Sequence, residues 1–458
     1  MAQRNTHLAF DADKDGFTDL PQLTKYNFNP RLFYQFNEKT KGYIGGTFTN
    51  EVRSGGDLKI LDGELPSANN FYSERNDINR STTQLKLEHQ LSDNQRIEIR
   101  NSFNFFSREL TVTPSLATGR HRFAGNQVSS FSELAYSQRK EKNVFIVGLN
   151  FYSDDFKERS LQGATPRTEN YKTLGAFANY VFDIGKKVSI ESGLRSDYVF
   201  DEKMYVLPRV SALFKWTEKM TTRIGGGMGY RNASMFNQEA EILAYQNVLS
   251  INRTTTKGEQ SFGGNVDFGY KTPLGDNFFL IFNQMFFYSK IDKPLILNKV
   301  GNNYEFGNAN GYTASRGAET FFKLGFYDFV WFVGYTFTDA NNHFSNQESV
   351  MTLTPRHSLK GDILYALPGK WRIGFDYEYK SGQTLSSGKI TRSYWTSGGL
   401  VEYTHKSTTI YANTENFGNV RQTNFESLKS APYNTPQFTE VWAPLDGFVF
   451  NAGIKIRL

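Results

Sequence analysis

The chain of 458 residues contains no cysteine. Disulfides, thiolate metal centres and a thiol nucleophile are therefore excluded. It also lacks a long apolar run. The richest stretch, 326–335, is short and contains Asp328, well below the roughly 18 residues a membrane-crossing helix needs. Histidine is scarce: His7, His89, His121, His343, His357 and His405 lie far apart, which gives no support to a histidine metal site or to haem ligation. No G-x-S-x-G element is present, and Gly225-Gly226-Gly227-Met228-Gly229 has neither a following helix nor a Lys-Ser/Thr to make it a phosphate loop. The net charge of +6 is modest, with Lys and Arg scattered rather than gathered in a stripe, so nucleic acid is not an expected partner. No catalytic constellation emerges, and the chain does not read as an enzyme.

What is abundant is aromatic: Phe 41 and Tyr 25, in a chain only 38% hydrophobic. The final twelve residues show how that mixture is spent. Phe448, Phe450, Ala452, Ile454, Ile456 and Leu458 share one parity, while Val449, Asn451, Gly453, Lys455 and Arg457 share the other. A strand sends alternate side chains to opposite faces, so this one needs an apolar medium on one side and water on the other. The pattern repeats in strands near 26–36, 43–52, 85–91 and 97–105, and onward through 358–366, 371–379, 393–404 and 408–413. Short polar turns, such as 37–41, 92–94, 184–187 and 367–370, alternate with longer segments at 54–80, 108–126, 154–169, 232–257 and 417–446. Low mean hydropathy, aromatic enrichment and alternating turn lengths together describe an antiparallel transmembrane β-barrel, with short periplasmic turns and long extracellular loops. A soluble sandwich would mix its loop lengths, and a solenoid would repeat at a fixed period. A passive porin or adhesin barrel and a soluble all-β binding protein are the alternative readings.

From Thr24 onward about 19 strands are expected, an odd number where single-chain bacterial barrels use an even one. A barrel of about 22 strands, the large plugged class, accommodates the count if the chain is its C-terminal part. The polar start, Met1 to His7, lacks the apolar core of a signal peptide, which fits a fragment. On this reading residues 1–22 form an extracellular loop and residues 23–458 the barrel. That loop contains Asp11-Ala12-Asp13-Lys14-Asp15-Gly16-Phe17-Thr18-Asp19, the spacing of a calcium loop with oxygens at positions 1, 3, 5 and 9 and glycine at 6. Gln22 replaces the usual position-12 Glu, and no helices flank it. Asp11, Asp13, Asp15 and Asp19 are thus candidate calcium ligands; the plainer alternative is an acidic turn that binds nothing tightly.

Several stretches resemble TonB-dependent outer-membrane receptors. Leu207-Pro208-Arg209 opens one strand and Tyr230-Arg231-Asn232 closes the next, like the family's mid-barrel hairpin. Arg316-Gly317-Ala318-Glu319, Thr354-Pro355-Arg356-His357 and the run from Asn413 to Thr423 are similar in the same order, and the Asp11 to Pro21 stretch resembles an outer loop of Bacteroidetes-type receptors. The resemblance implies active import of a siderophore, cobalamin, haem or glycan by a monomeric barrel in the cell outer membrane. It implies outer-membrane lipid and a small-molecule ligand as partners, TonB acting through a plug domain absent from this chain, and a surface lipoprotein as an additional partner. Leu458 departs from the family's usual terminal aromatic residue. Of the inward arginines, Arg195, Arg209, Arg223 and Arg231 are expected to pair with carboxylates rather than to line an anionic path. Tyr198, Tyr230, Tyr288 and Trp331 are expected in the interfacial girdles.

Overall fold

The computed structural model describes residues 2–67, 70–115, 119–159, 166–273, 275, 277–367, 369–430 and 436–457. Among these, 22 segments form one sheet, all of whose ladders are antiparallel. Two segments continue a strand rather than begin one. Gln22–Phe28 and Arg31–Asn37 both pair with Thr40–Gly56, Phe28 opposite Phe48 and Arg31 opposite Gly45, so the register survives the interruption at Asn29 and Pro30. Proline has no N–H for the ladder, which is why the pairing lapses there. Gln347–Val350 and His357–Ala366 likewise share Phe329–Phe344, but 351–356 bulges out between them. The wall therefore has 20 strands among the described residues: those expected from Thr24 onward, and Ala2–His7.

Ala2–His7 corrects the reading of residues 1–22 as loop throughout. Its side chains are mostly polar on both faces, so alternation gives no signal, but its backbone pairs with Gln22–Phe28 from Ala2 opposite Phe28 to His7 opposite Leu23. The loop proper is 8–21. Other segments read as loops are also partly strand. Gln95–Ser115 and Gly119–Lys140 run on through most of 108–126, with Leu110 opposite Phe123. At 21 and 22 residues they are about twice the length needed to cross a bilayer, so their ends stand clear of it.

The two faces of the wall differ as the alternation requires. Leu134, Leu149, Leu194, Val210, Ile224 and Ile454 are between 49% and 65% exposed on the outer face, a burial that only lipid chains complete. Trp216, Tyr327 and Trp371 stand exposed beside the short turns, where an aromatic girdle belongs. On the inner face, charges form ladders: Lys86 bridges Glu88 and Glu98, Arg100 continues to Glu133, and Glu402 is held between Arg372 and Lys455. Facing water, each such pair contributes only about 0–1 kcal/mol; their role is to keep the inner face wet. Among the described residues no helix is long and apolar enough to cross a membrane.

Candidate functional site

At the loop rim the inner face changes character. Along Gln95–Ser115 the inward positions run Glu98, Arg100, Ser102 and Asn104, then Phe106, Arg108, Leu110 and Val112. Leu110 and Val112 are buried with Phe123 and Phe156 of the neighbouring strands, and the segment 232–257 supplies the cover. Within that segment Asn237 caps the short helix Gln238–Ile242 by accepting from the Ala240 N–H at 3.0 Å. Met235 and Ala240 are wholly buried, and Tyr245 stacks on Phe123 with ring centroids 4.2 Å apart. Phe306, from the hairpin Leu295–Val300 and Asn303–Asn308, completes the core.

Polar ties hold this cover in place. The Tyr171 hydroxyl donates to the Ala233 carbonyl, and Glu169 accepts from the Ser234 hydroxyl at 2.8 Å and the Met235 N–H at 2.7 Å. Arg167 pairs with Glu158 and donates to the Tyr245 and Val248 carbonyls, both at 2.9 Å. Beneath the cover lies a cavity of about 520 Å³ lined by Phe106, Phe123, Phe156, Phe236 and Tyr245, with Arg108, Arg231 and Glu241 as its charged members. Glu241 accepts from Arg108 at 2.5 Å and from the Tyr245 hydroxyl at 3.0 Å. Burial alone would raise the Glu241 carboxyl, and the Arg108 hydrogen bond and charge outweigh it, leaving it below the ordinary value. Burial, reinforced by the Glu241 charge, pushes the Tyr245 phenol up.

The other arginines divide as follows. Arg195 pairs with Asp197 at 2.9 Å and Arg209 with Glu191, as expected. Arg223 stands opposite Asp267 in the ladder. Arg231 instead lines the cavity. Tyr198, Tyr288 and Trp331 point outward, but Tyr230 departs from the girdle. The ladder between Lys203–Lys215 and Met220–Arg231 stops at Arg209 opposite Gly227, and beyond it Tyr230 stacks on buried Tyr205 at 3.9 Å and donates to Asp197 at 3.1 Å.

The acidic loop lies on the same rim. Asp11, Asp13 and Asp15 each present a carboxylate oxygen within 4.8 Å of the others. Gly16 has φ +84°, the left-handed turn expected of position 6. Asp11 accepts from the N–H groups of Lys14 at 2.7 Å and Gly16 at 2.9 Å. Asp19 lies outside the trio, its carboxylate accepting from the Ala12 N–H at 2.6 Å. Burial, then the charges of Asp15 and Asp19, raise the Asp13 carboxyl; burial likewise raises Asp19, against the Ala12 hydrogen bond. Sequence reasoning missed the facing cation: Lys429, on the short pairing Lys429–Ser430 with Gln437–Phe438, sits 3.0 Å from Asp15 and over the Phe17 ring at 4.3 Å. Phe17, Tyr72 and Phe438 pack together beside it, with centroids 5.0–5.6 Å apart. The loops after the first strand and before the last are thereby joined.

With this geometry established, comparison decides the family. The model of the TonB dependent receptor-like β-barrel matches residues 12–417. The chain belongs to the TonB-dependent receptor family. Solved TonB-dependent receptors share the fold at low identity. The FrpB iron transporter of Neisseria meningitidis (F5-1 variant) is 12% identical with a TM-score of 0.75, over 99% of this chain and 77% of that one. The siderophore receptor PirA of Acinetobacter baumannii is 14% identical with a TM-score of 0.73, over 99% and 74%. The ferric-catecholate import receptor Fiu of E. coli K12, in a closed form, is 11% identical with a TM-score of 0.72, over 99% and 76%. No curated protein matches in sequence. Membership makes the chain part of an outer-membrane transport receptor, whose family works with TonB and small-molecule ligands. The loop rim is accordingly the extracellular side.

Proposed function

We propose that this TonB-dependent receptor imports a scarce metal as an anionic, aromatic chelate of the siderophore type. The observation that carries the reading is the roofed extracellular cavity of about 520 Å³, in which Phe106, Phe156, Phe236 and Tyr245 surround Arg108 and Arg231. Rings recognise planar aromatic groups and guanidinium recognises oxyanions bidentately. The solved relatives named above, two of them a siderophore receptor and a ferric-catecholate receptor, support the same class. A plug domain, a surface lipoprotein and bilayer lipid belong to the proposal as partners.

The test is growth of a Gram-negative host stripped of its own iron receptors, given iron only as the ferric complex of 2,3-dihydroxybenzoate. Growth should require both this receptor and an intact tonB gene. Growth that survives loss of TonB would instead identify a passive barrel.

The proposal includes calcium at the acidic loop, with Asp11, Asp13 and Asp15 as ligands, favoured by their convergence within 4.8 Å. Calcium there would neutralise the crowded carboxylates and stiffen the rim. Terbium, a luminescent calcium substitute, should bind the receptor and be displaced by calcium. Absence of sensitised luminescence would leave the loop as an acidic turn.

A further inference from the structure

A second cavity, of about 400 Å³, lies at the extracellular rim. It is lined by Phe17 and Phe438 of the loops and by Tyr72, Glu74 and Asn76 where Ser73–Ser92 begins. Arg108 and Glu241 line both it and the cavity beneath the cover. Their ion pair is the partition between the two spaces.

The partners are not equally anchored. The Arg108 side chain is 14% exposed, its Nε donates to Asn76 at 3.0 Å and its guanidinium lies 6.0 Å from the Tyr245 ring. Its own strand is bonded on both sides. Glu241 is 50% exposed and sits on a five-residue helix in the cover. Glu74, the other carboxylate nearby, turns to the Tyr72 hydroxyl at 3.4 Å. If the pair parts, Glu241 regains water cheaply, while Arg108 keeps a largely buried charge that the Glu74 carboxyl, with no hydrogen bond to it, offsets only in part and an incoming anion can satisfy. A neutral molecule gains nothing by opening the pair.

We propose that Glu241 is a built-in substitute for the ligand: its carboxylate holds the anion seat at Arg108 until an anionic aromatic ligand, entering through the outer cavity, displaces it and joins the two spaces. The inference rests on the chelate-import reading and adds the residue that gates it. Displacement makes the observed affinity a difference between two anions competing for one guanidinium, so the seat selects for charge and rejects neutral solutes. When Glu241 leaves Arg108, the helix Gln238–Ile242 loses one of its ties to the wall and keeps others, among them buried Ala240 and the Glu239 bond to the Leu297 N–H at 2.9 Å.

The test measures binding of ferric 2,3-dihydroxybenzoate to the purified receptor in lipid nanodiscs, with no TonB present, for the native chain, Glu241→Gln, Arg108→Met and Arg108→Lys. Glutamine keeps the size of the side chain and an acceptor for the Tyr245 hydroxyl but gives up the charge. Glu241→Gln should bind about tenfold more tightly, Arg108→Met should lose binding, and Arg108→Lys should retain part of it, which shows that the loss in the Met variant is not misfolding. Unchanged or weaker binding by Glu241→Gln, full binding by Arg108→Met, or no binding by any of the four would overturn the inference. Because no energy source enters this assay, a failure of TonB-dependent growth with the binding pattern intact would count against the import reading alone.

Discussion

At the scale of single residues, crowded carboxylates set what the acidic loop does. Asp13 is raised chiefly by burial and then by its like-charged neighbours, so the folded loop binds a proton more readily than the unfolded chain does. Protonation therefore favours the folded loop as pH falls through the raised range, and the same protons compete with a divalent cation. Terbium or calcium affinity should be full near neutrality and fade with acidification, beginning above the ordinary aspartate value of 3.8, as a luminescence titration against pH would show. Asp13→Asn should weaken it by about tenfold, through loss of one ligand charge. In the cover, Phe123 is 1% exposed and packs on both Phe156 and Tyr245. Phe123→Ala should cost about 3–5 kcal/mol locally. The readout is faster amide hydrogen exchange across 232–257, with the exchange of the lower wall unchanged.

At the scale of elements, Lys429 links two loops that are about 400 residues apart in the chain. Its side chain is 4% exposed and its ammonium meets Asp15 at 3.0 Å, which is the carboxylate a cation in the acidic loop would also use. Two positive charges drawn to one carboxylate repel each other, so Lys429→Met should raise terbium affinity while making 417–446 more sensitive to protease; unchanged affinity would separate the clasp from the cation site. No local pattern announces this contact, because the pairing Lys429–Ser430 with Gln437–Phe438 is only two residues long. The wall strands were legible because each needs lipid on one face and water on the other, and the period of two records that need. Ala2–His7 was not, since a strand polar on both faces leaves no period. The extensions of Gln95–Ser115 and Gly119–Lys140 were legible in principle: Phe106, Leu110 and Val112 keep the alternation, but on the inner parity, where apolar residues are not expected until a cover exists to bury them. Tyr230 lost its expected place where the strand is paired on one side only: its ladder with Lys203–Lys215 ends at Gly227 while that with Glu259–Pro273 runs on to Arg231, and its ring turns to Tyr205 and Asp197.

At the scale of the whole molecule, the wall separates two solvents, and neighbouring residues on one strand report which is which. Val210 is 56% exposed on the outer face. Ser211, beside it, has the inner parity and lines a bay of about 470 Å³ with Gly225 and Gly227, whose missing side chains leave the space open, and with the Arg209–Glu191 pair, while Val210 and Met228 edge the same space from the outer parity. Both lie at nearly the same depth. Val210→Arg places a guanidinium in hydrocarbon and should destabilise the barrel by about 2–4 kcal/mol, read as a lower denaturant midpoint in lipid vesicles. Ser211→Arg gives the same charge a wet bay beside the Arg209–Glu191 pair, where water screens the repulsion from Arg209, and should shift stability by only about 0.5 kcal/mol. Equal penalties would mean that both faces meet the same medium, as in a soluble sheet. An asymmetric result ties the period of two in the sequence to the membrane itself, and it does so without invoking any ligand. The wall and the cover would then fail independently: Val210→Arg weakens the barrel while leaving the Arg108 seat intact, and Glu241→Gln alters the seat while leaving the wall unchanged.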